Sequence, residues 1–169
     1  FKIIYKLFMQ KKVLSEVALY TGDVDMPKEF KIDLNALEIN SVEANVNRKK
    51  FIYSKEWDKL NQFIIDHLNI KYDLSLINKN NWGNIYSSGE TSIPLLNINP
   101  VDLHNSPDFT LLYGVKTNNC KIKIFYDDNR RKGRSWDIDL TDNKFIMFPA
   151  TCMYYITNKQ NNYFNFVET

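Results

Sequence analysis

The chain is poor in histidine, cysteine and glycine, and each shortage excludes a class of site. Its 169 residues include two histidines, two cysteines and five glycines. A metal site with three histidines cannot be built, and the two Cys and two His stand at spacings unrelated to those of structural zinc sites. The glycines are isolated, which excludes a glycine-rich phosphate loop. Neither histidine accompanies a nucleophile-elbow motif, so a Ser-His-Asp hydrolase is not expected.

The chain also lacks a strong charge and a long apolar run. The net charge is +2, too small to predict a nucleic-acid partner, and the one dense basic cluster, residues 129–134, reads as a solvated hairpin loop. No apolar stretch approaches the roughly 20 residues that span a bilayer, and residues 1–12 are too charged for a signal peptide. Cys120 and Cys152 are expected to be free thiols in a reducing compartment. We therefore predict a cytoplasmic protein (in the host cytoplasm if the source is viral) with no membrane partner.

Apolar and aromatic residues are plentiful enough for a packed interior. Hydrophobic residues make up 44% of the chain and aromatic residues 14%, and a chain of this length suits one hydrophobic core. We predict a single domain over residues 1–169. Residues 1–80 would supply an N-terminal strand and helices, and residues 82–169 a β core.

Residues 54–72 carry the clearest helical pattern. Ser54 is placed to cap the N-terminus, and Glu56 suits the positive end of the helix dipole. An apolar stripe follows at spacings of three and four; it consists of Trp57, Leu60, Ile64, His67 and Leu68. His67 is therefore expected to have a packing role. Residues 2–20 predict a strand, and Asp33 caps a short predicted helix over 34–38.

From residue 82 the pattern changes to short alternating strands separated by turn residues. The predicted strands are Trp82–Tyr86, Ser92–Ile98, Phe109–Val115, Lys121–Tyr126, Ser135–Leu140, Phe145–Phe148, Met153–Thr157 and Tyr163–Val167. Eight strands at this spacing predict a sandwich or barrel of the jelly-roll type. The fold class is thus mainly β (α+β), with the helices bracing one outer face of the sheets.

Three stretches in this order resemble a known family: NWGNIYSSGE (81–90), DLHNSPDFTLLYGV (102–115) and KFIMFPATCMYYITN (144–158). Together with KIKIFYDD and SWDIDL between them, they are similar to the double-stranded β-helix, a cupin-type jelly roll, of 2-oxoglutarate/iron(II)-dependent oxygenases. The likeness extends to short hydroxylase-like proteins encoded by T4-like marine phages. It implies Fe(II) and 2-oxoglutarate as cofactors and a small molecule or a protein side chain as substrate.

The resemblance assigns metal positions, and the chain departs from the family there. The family's His-x-Asp pair maps onto Asp102-x-His104, with the order reversed, and Tyr154 stands where the distal histidine is expected. A spacing of two places Asp102 and His104 on one face of an extended segment. His104 with Asp108 is an alternative pair whose spacing does not suit one strand face. A phenol ionises near a pKa of about 10 and is a poor ligand for iron(II) at neutral pH.

The position of the family's cosubstrate-binding arginine holds Tyr163 or Phe164, so the carboxylate of 2-oxoglutarate has no evident cation. Asn84 and Tyr86 could present polar groups to the mouth of the barrel. Each assignment has a structural alternative. Asp102 would cap a turn in a polar loop between two prolines, and Tyr154 would pack in the sheet.

Three hypotheses follow. The first is a divergent oxygenase-like protein without the iron triad, acting as a non-catalytic binding or structural module that needs no cofactor. The second is an active Fe(II)/2-oxoglutarate hydroxylase with an unusual ligand set, Asp102 and His104 with a third group such as His67. The third is an unrelated jelly roll that binds carbohydrate or belongs to a virion.

Overall fold

The computed structural model describes residues 17–25, 55–81, 83–86, 89–129, 132–158 and 165–168. Within them lie eight strands and one helix. In chain order these are β1 (Tyr20–Asp23), α1 (Lys55–Tyr72), β2 (Gly83–Tyr86), β3 (Phe109–Lys116), β4 (Cys120–Asn129), β5 (Lys132–Leu140), β6 (Lys144–Pro149), β7 (Met153–Asn158) and β8 (Asn165–Glu168). The prediction of a mainly β fold with a helix before the sheets is confirmed. The predicted helix over 34–38, most of the predicted strand over 2–20 and residues 159–164 lie outside the described residues.

The strands form two antiparallel sheets. One has five strands in the order β1-β6-β3-β8-β2, and the other has three in the order β5-β4-β7. All described strand pairings are antiparallel. Strands far apart in sequence are neighbours, since β3 lies between β6 and β8. The N-terminal part of the chain contributes β1 to the same sheet as the later strands.

A bridging segment, residues 90–95, runs beside β7. Single bridges join Thr91 to Thr157 and Leu95 to Tyr154, and the Leu95 and Tyr154 backbones exchange hydrogen bonds of 2.9 and 3.0 Å. The sequence predicts a full strand over 92–98, whereas the structure has two isolated bridges. Pro94 has no N–H to donate to a ladder, which accounts for the interruption.

Helix α1 packs on the outer face of the five-stranded sheet. Leu60, Ile64 and Leu68 are buried and form one core cluster with residues of β3 and β6, among them Tyr113 and Phe145. Complete burial of each such side chain stabilises the fold by about 1.5–3 kcal/mol. Leu60, Ile64 and Leu68 of the predicted stripe thus face the sheet, as expected. In the described part of the chain no helix is both long and apolar enough to cross a membrane.

A second core cluster fills the space between the two sheets. Leu112 of β3 and Phe148 of β6 come from one sheet, and Ile122, Ile124 and Ile156 from the other. Neighbouring residues of β3 serve different clusters, because successive side chains of a strand point to opposite faces. The interior between the sheets is therefore packed with mainly apolar side chains, so a polar group inside it is an exception.

Two turns use asparagine in the left-handed conformation. Asn119 and Asn143 have φ of 56° and 61°, which asparagine tolerates better than most residues. Both lie in segments whose composition predicts turns. Gly114 of β3 lies beside the second turn, where its carbonyl accepts from the Asn143 N–H, and a Cβ added to it would collide with the carbonyl oxygen of Thr141. This close approach requires glycine, because backbone atoms cannot yield as a flexible side chain would.

Candidate functional site

Tyr154 of β7 lies inside the sandwich. Its side chain is 1% exposed, and its ring meets that of Phe148 edge to face, with centroids 5.3 Å apart. It is opposite Ile124 of β4 on one side and Leu95 of the bridging segment on the other. Since Tyr155 points to the other face, where its ring packs against Phe125 at 5.4 Å, the two adjacent tyrosines have different surroundings.

The hydroxyl of Tyr154 belongs to a small hydrogen-bonded group, the polar centre, formed by Asn97, Thr110 and Tyr154. Asn97 Nδ2 donates to Thr110 Oγ1 at 2.9 Å and to Tyr154 Oη at 3.1 Å. Thr110 is buried in β3, and Asn97 is half-buried just after the bridging segment. Both amide hydrogens of Asn97 are thereby used in joining the two sheets at this point.

Asn97 is absent from the residues that the sequence singled out. Its partners are 13 and 57 positions away, so no local pattern reveals the group. The available signal is an amide within the otherwise apolar run Ile93–Ile98, where a polar side chain that becomes buried must find partners.

Asp102 and His104 lie in the irregular loop before β3. Asn105 donates to Asp102 from its backbone N–H at 3.3 Å and from its side-chain amide at 2.7 Å. Asp102 therefore closes a local turn, as in the alternative that the sequence left open. The His104 side chain is exposed. Among the described residues, no three His, Cys, Asp or Glu side chains are grouped so that they could hold a metal ion. The assignment of Asp102, His104 and Tyr154 as metal ligands stays a prediction.

Asn84 and Tyr86, the predicted cosubstrate contacts, lie in β2. Tyr86 is buried in the cluster between the sheets, and Asn84, two residues away, lies on the same face of the strand and is half-buried. Burial raises the pKa of Tyr86 well above its usual range, with a smaller contribution from Tyr154, so its phenol stays neutral. Its backbone carbonyl accepts a hydrogen bond of 2.9 Å from Asn158 Nδ2. The predicted arginine position at 163–164 lies outside the described residues.

The two cysteines are free and buried. Burial is the main cause that raises the pKa of Cys120 to about 12, and burial also raises the pKa of Cys152. A thiol that stays protonated at neutral pH is a weak nucleophile and a weak metal ligand. Both residues pack in the cluster between the sheets.

His67 has the packing role that the stripe predicts. Its ring stacks on Phe63 at 6.1 Å and meets Tyr72 at 6.3 Å. Its Nε2 is buried and has no hydrogen-bond partner within the described ranges. The second hypothesis names His67 as one example of a third iron ligand beside Asp102 and His104.

A cleft of about 680 Å³ lies between α1, the segment 75–81 and the start of β3. We call it the amide cleft, because five asparagines contribute to its lining: Asn61, Asn78, Asn80, Asn81 and Asn97. Asn97 thus takes part in both the polar centre and the cleft wall. Pockets of this size are large enough for small ligands.

Comparison with known proteins adds the class of fold. No protein-family model matches the sequence, and no curated protein matches it. Among solved structures, a prolyl-4-hydroxylase from Pseudomonas putida is similar, with a TM-score of 0.54 and 10% identity over 90% of this chain and 91% of that chain. At this identity the likeness shows the fold: two antiparallel sheets packed as in a jelly roll, of the kind that this hydroxylase uses.

The side chains of the polar centre do not fit the metal that such a fold is expected to hold. A ferrous oxygenase site needs two imidazoles and one carboxylate on one face of the metal. The polar centre supplies a phenol, an amide and an alcohol. These are neutral groups, and a divalent cation among them would lack compensating charge.

Proposed function

We propose that the protein is a divergent member of the 2-oxoglutarate/iron(II) oxygenase fold that acts as a non-catalytic binding module. The observation that carries this proposal is the hydrogen bond from Asn97 to Tyr154 inside the sandwich. It involves Tyr154, which stands at the position where the resemblance to the oxygenases places a metal ligand. The two neutral side chains satisfy each other, and the arrangement needs no ion to be stable.

The strand order supports a double-stranded β-helix. The strands β2, β8, β3 and β6 are consecutive in the larger sheet. With the bridging segment counted as a fourth member, the smaller sheet runs β5, β4, β7 and residues 90–95. Eight segments in two sheets of four are what that fold requires, and β1 adds an edge strand beyond it.

The contacts of Tyr154 also suggest a different alignment of the first ligand pair. If Tyr154 stands at the distal histidine's place, the side chain that meets its hydroxyl is Asn97, two residues after the bridging segment. The pair at His-x-Asp spacing would then be Asn97 and Asn99 rather than Asp102 and His104. We propose this alignment as the better one. It replaces an imidazole and a carboxylate with two amides and leaves no anionic ligand for iron.

Ligand binding and turnover separate this proposal from an active hydroxylase. Thermal unfolding would be measured anaerobically with Fe(II) and 2-oxoglutarate. In a second, unheated sample, succinate would be measured after air is admitted. A ligand at 100 times its Kd stabilises the native state by about 2.7 kcal/mol, which is readily visible as a rise in Tm. We expect no rise in Tm and no succinate above the level without protein.

The control is the His104→Ala variant, which should behave as the parent does. A rise in Tm with Fe(II) and 2-oxoglutarate that is lost in His104→Ala would overturn the proposal and support the active hydroxylase.

A further inference from the structure

Most of the polar side chains that line the amide cleft are uncharged and can form hydrogen bonds. Its polar lining consists of the five asparagine amides and the hydroxyls of Ser75, Ser106 and Thr110. Its charged lining residues are Lys79 and Asp108, one of each sign. An anionic or cationic ligand would find no excess of opposite charge here. The lining therefore suits a neutral ligand that both donates and accepts hydrogen bonds.

Among the residues that line the cleft, Asn61 gives the strongest physical reason to expect a ligand. It lies on α1 and is 8% exposed, and its Nδ2 is buried without a hydrogen-bond partner in the described part of the chain. An unpaired buried donor destabilises the native state, so native proteins seldom retain one without a reason. The χ2 torsion of asparagine is broad, which allows the amide to turn toward a group bound in the cleft.

Three more asparagines of the lining, Asn78, Asn80 and Asn81, lie in the segment 75–81, which is hydrogen-bonded to α1 at Leu76. Asn69 of α1 holds residue Leu76 through both of its amide atoms, accepting from the backbone N–H at 2.9 Å and donating to the carbonyl at 3.3 Å. Asn78 and Asn80 follow and are exposed, while Asn81 is half-buried. A short, anchored loop thus presents amides at the entrance of the cleft.

The cleft also has an aromatic side at its rim. Phe109 lines it and remains 42% exposed, with its ring edge-on to Tyr20 at 6.5 Å. Ile64, Leu111 and Met147 are among the other apolar residues of the wall. An exposed ring beside many amides suits a ligand whose faces carry C–H groups and whose edges carry hydroxyls, because the negative face of the ring attracts C–H groups.

We propose that the amide cleft binds a neutral saccharide. Ring hydroxyls would pair with the amides of Asn78, Asn80 and Asn81, and one hydroxyl would accept from Asn61 Nδ2, while a sugar face covers Phe109. This inference rests on the proposed function in one respect, since it supplies the ligand of a binding module. It does not depend on whether the polar centre binds iron.

The test uses the whole protein and four neutral oligosaccharides as probes: maltotriose, cellotriose, xylotriose and chitotriose. Affinity is measured by titration calorimetry for the parent, Asn61→Leu and Phe109→Ala, and Tm is measured alongside. We expect at least one probe to bind the parent and both substitutions to weaken Kd at least tenfold. Tm of Asn61→Leu should equal or exceed that of the parent, because the unpaired donor is gone. Asn118→Leu makes the same change at an exposed turn residue away from the cleft and should keep the parent's affinity.

Four outcomes would overturn the inference. The first is that none of the probes binds the parent. The second is that affinity is unchanged in Asn61→Leu. The third is a lower Tm for Asn61→Leu, which would show that Asn61 has a structural partner. A fall in affinity in Asn118→Leu equal to that in Asn61→Leu would also count against the cleft. Failure here leaves the iron and succinate experiment unaffected, so the two proposals fail separately.

Discussion

The polar centre and the amide cleft share Asn97 and are built from the same kinds of side chain, yet they differ in how those groups are satisfied. In the polar centre, one asparagine uses both amide hydrogens, on Thr110 and Tyr154. In the cleft, Asn61 keeps a buried Nδ2 with no partner among the described residues. The first region pairs both donors of its amide within the protein, and the second keeps one donor unpaired among the described residues.

The difference separates a structural role from a binding role. A buried polar group that is fully paired stabilises one arrangement of its neighbours, whereas an unpaired one lowers stability until something binds. The interior between the sheets is a packed part of the core. The outer face beside α1 retains unsatisfied hydrogen-bonding capacity.

Removal of the Tyr154 ring should have the largest effect. Tyr154→Ala deletes a fully buried aromatic side chain and should lower the free energy of unfolding by about 3–5 kcal/mol. Tyr155→Ala is the matched control on the other face of β7. It removes the half-buried ring that packs against Phe125 and should lower the free energy of unfolding by about 1 kcal/mol. Urea unfolding measures both. Equal losses would contradict the contrast between the two tyrosines.

Removal of a single oxygen tests the polar centre itself. Tyr154→Phe keeps the packing and deletes the acceptor of Asn97, which should cost about 1 kcal/mol of unfolding free energy. Asn97→Ala and the double variant complete a thermodynamic cycle. We expect the double variant to be less destabilised than the sum of the two single variants. Strict additivity would mean that the two side chains do not act together.

Replacement of Asn61 should have a small effect of opposite sign. In Asn61→Leu, an apolar side chain of similar size takes the place of an unpaired donor, and we expect a gain of up to about 1 kcal/mol in unfolding free energy. Chemical denaturation without saccharide is sufficient. A loss of stability would remove the distinction between the two regions.

The smallest effect concerns the ion pair that ties α1 to the end of β1. Lys71 Nζ lies 2.8 Å from Asp25 Oδ2, and this hydrogen bond and the charge of Lys71 lower the pKa of Asp25 from its ordinary value of 3.8. A lowered pKa gives stability above pH 3.8 that is lost as the pH falls through the folded-state value. Asp25→Asn should therefore flatten the pH dependence of stability in that acid range.

Since both partners are solvent-exposed, molar salt should erase the effect of this ion pair. The polar centre contains neutral side chains and should add no slope between pH 3 and pH 4 or so. If the change of unfolding free energy with pH in the acid range persists in Asp25→Asn, it does not come from this ion pair.

The sequence was informative where local periodicity controls structure. The apolar stripe of 54–72 predicted α1 to within one residue at its start, and the turn residues around Asn119 and Asn143 separated real strands. A stripe at helical spacing and a residue that tolerates positive φ are local properties, and the chain displays them directly.

The candidate site was harder to predict because its contacts are long-range. Asn97 meets Tyr154 across 57 positions, and no spacing within one segment indicates such a pair. The motif Asp102-x-His104 suggested one face of a strand, but its segment is a loop in which Asp102 bonds Asn105. The pattern assumed an extended backbone, whereas the chain turns here, with the Ser106 N–H donating to the Leu103 carbonyl at 3.2 Å.

The central claim is that the interior around Tyr154 is a packed polar group and not a metal centre. The most direct measurement is anomalous diffraction at the iron edge from crystals grown anaerobically with Fe(II) and 2-oxoglutarate. The account predicts no anomalous peak within bonding distance of Tyr154 Oη and an intact hydrogen bond from Asn97. An ordered iron held by Tyr154 together with Asp102 or His104 would contradict it.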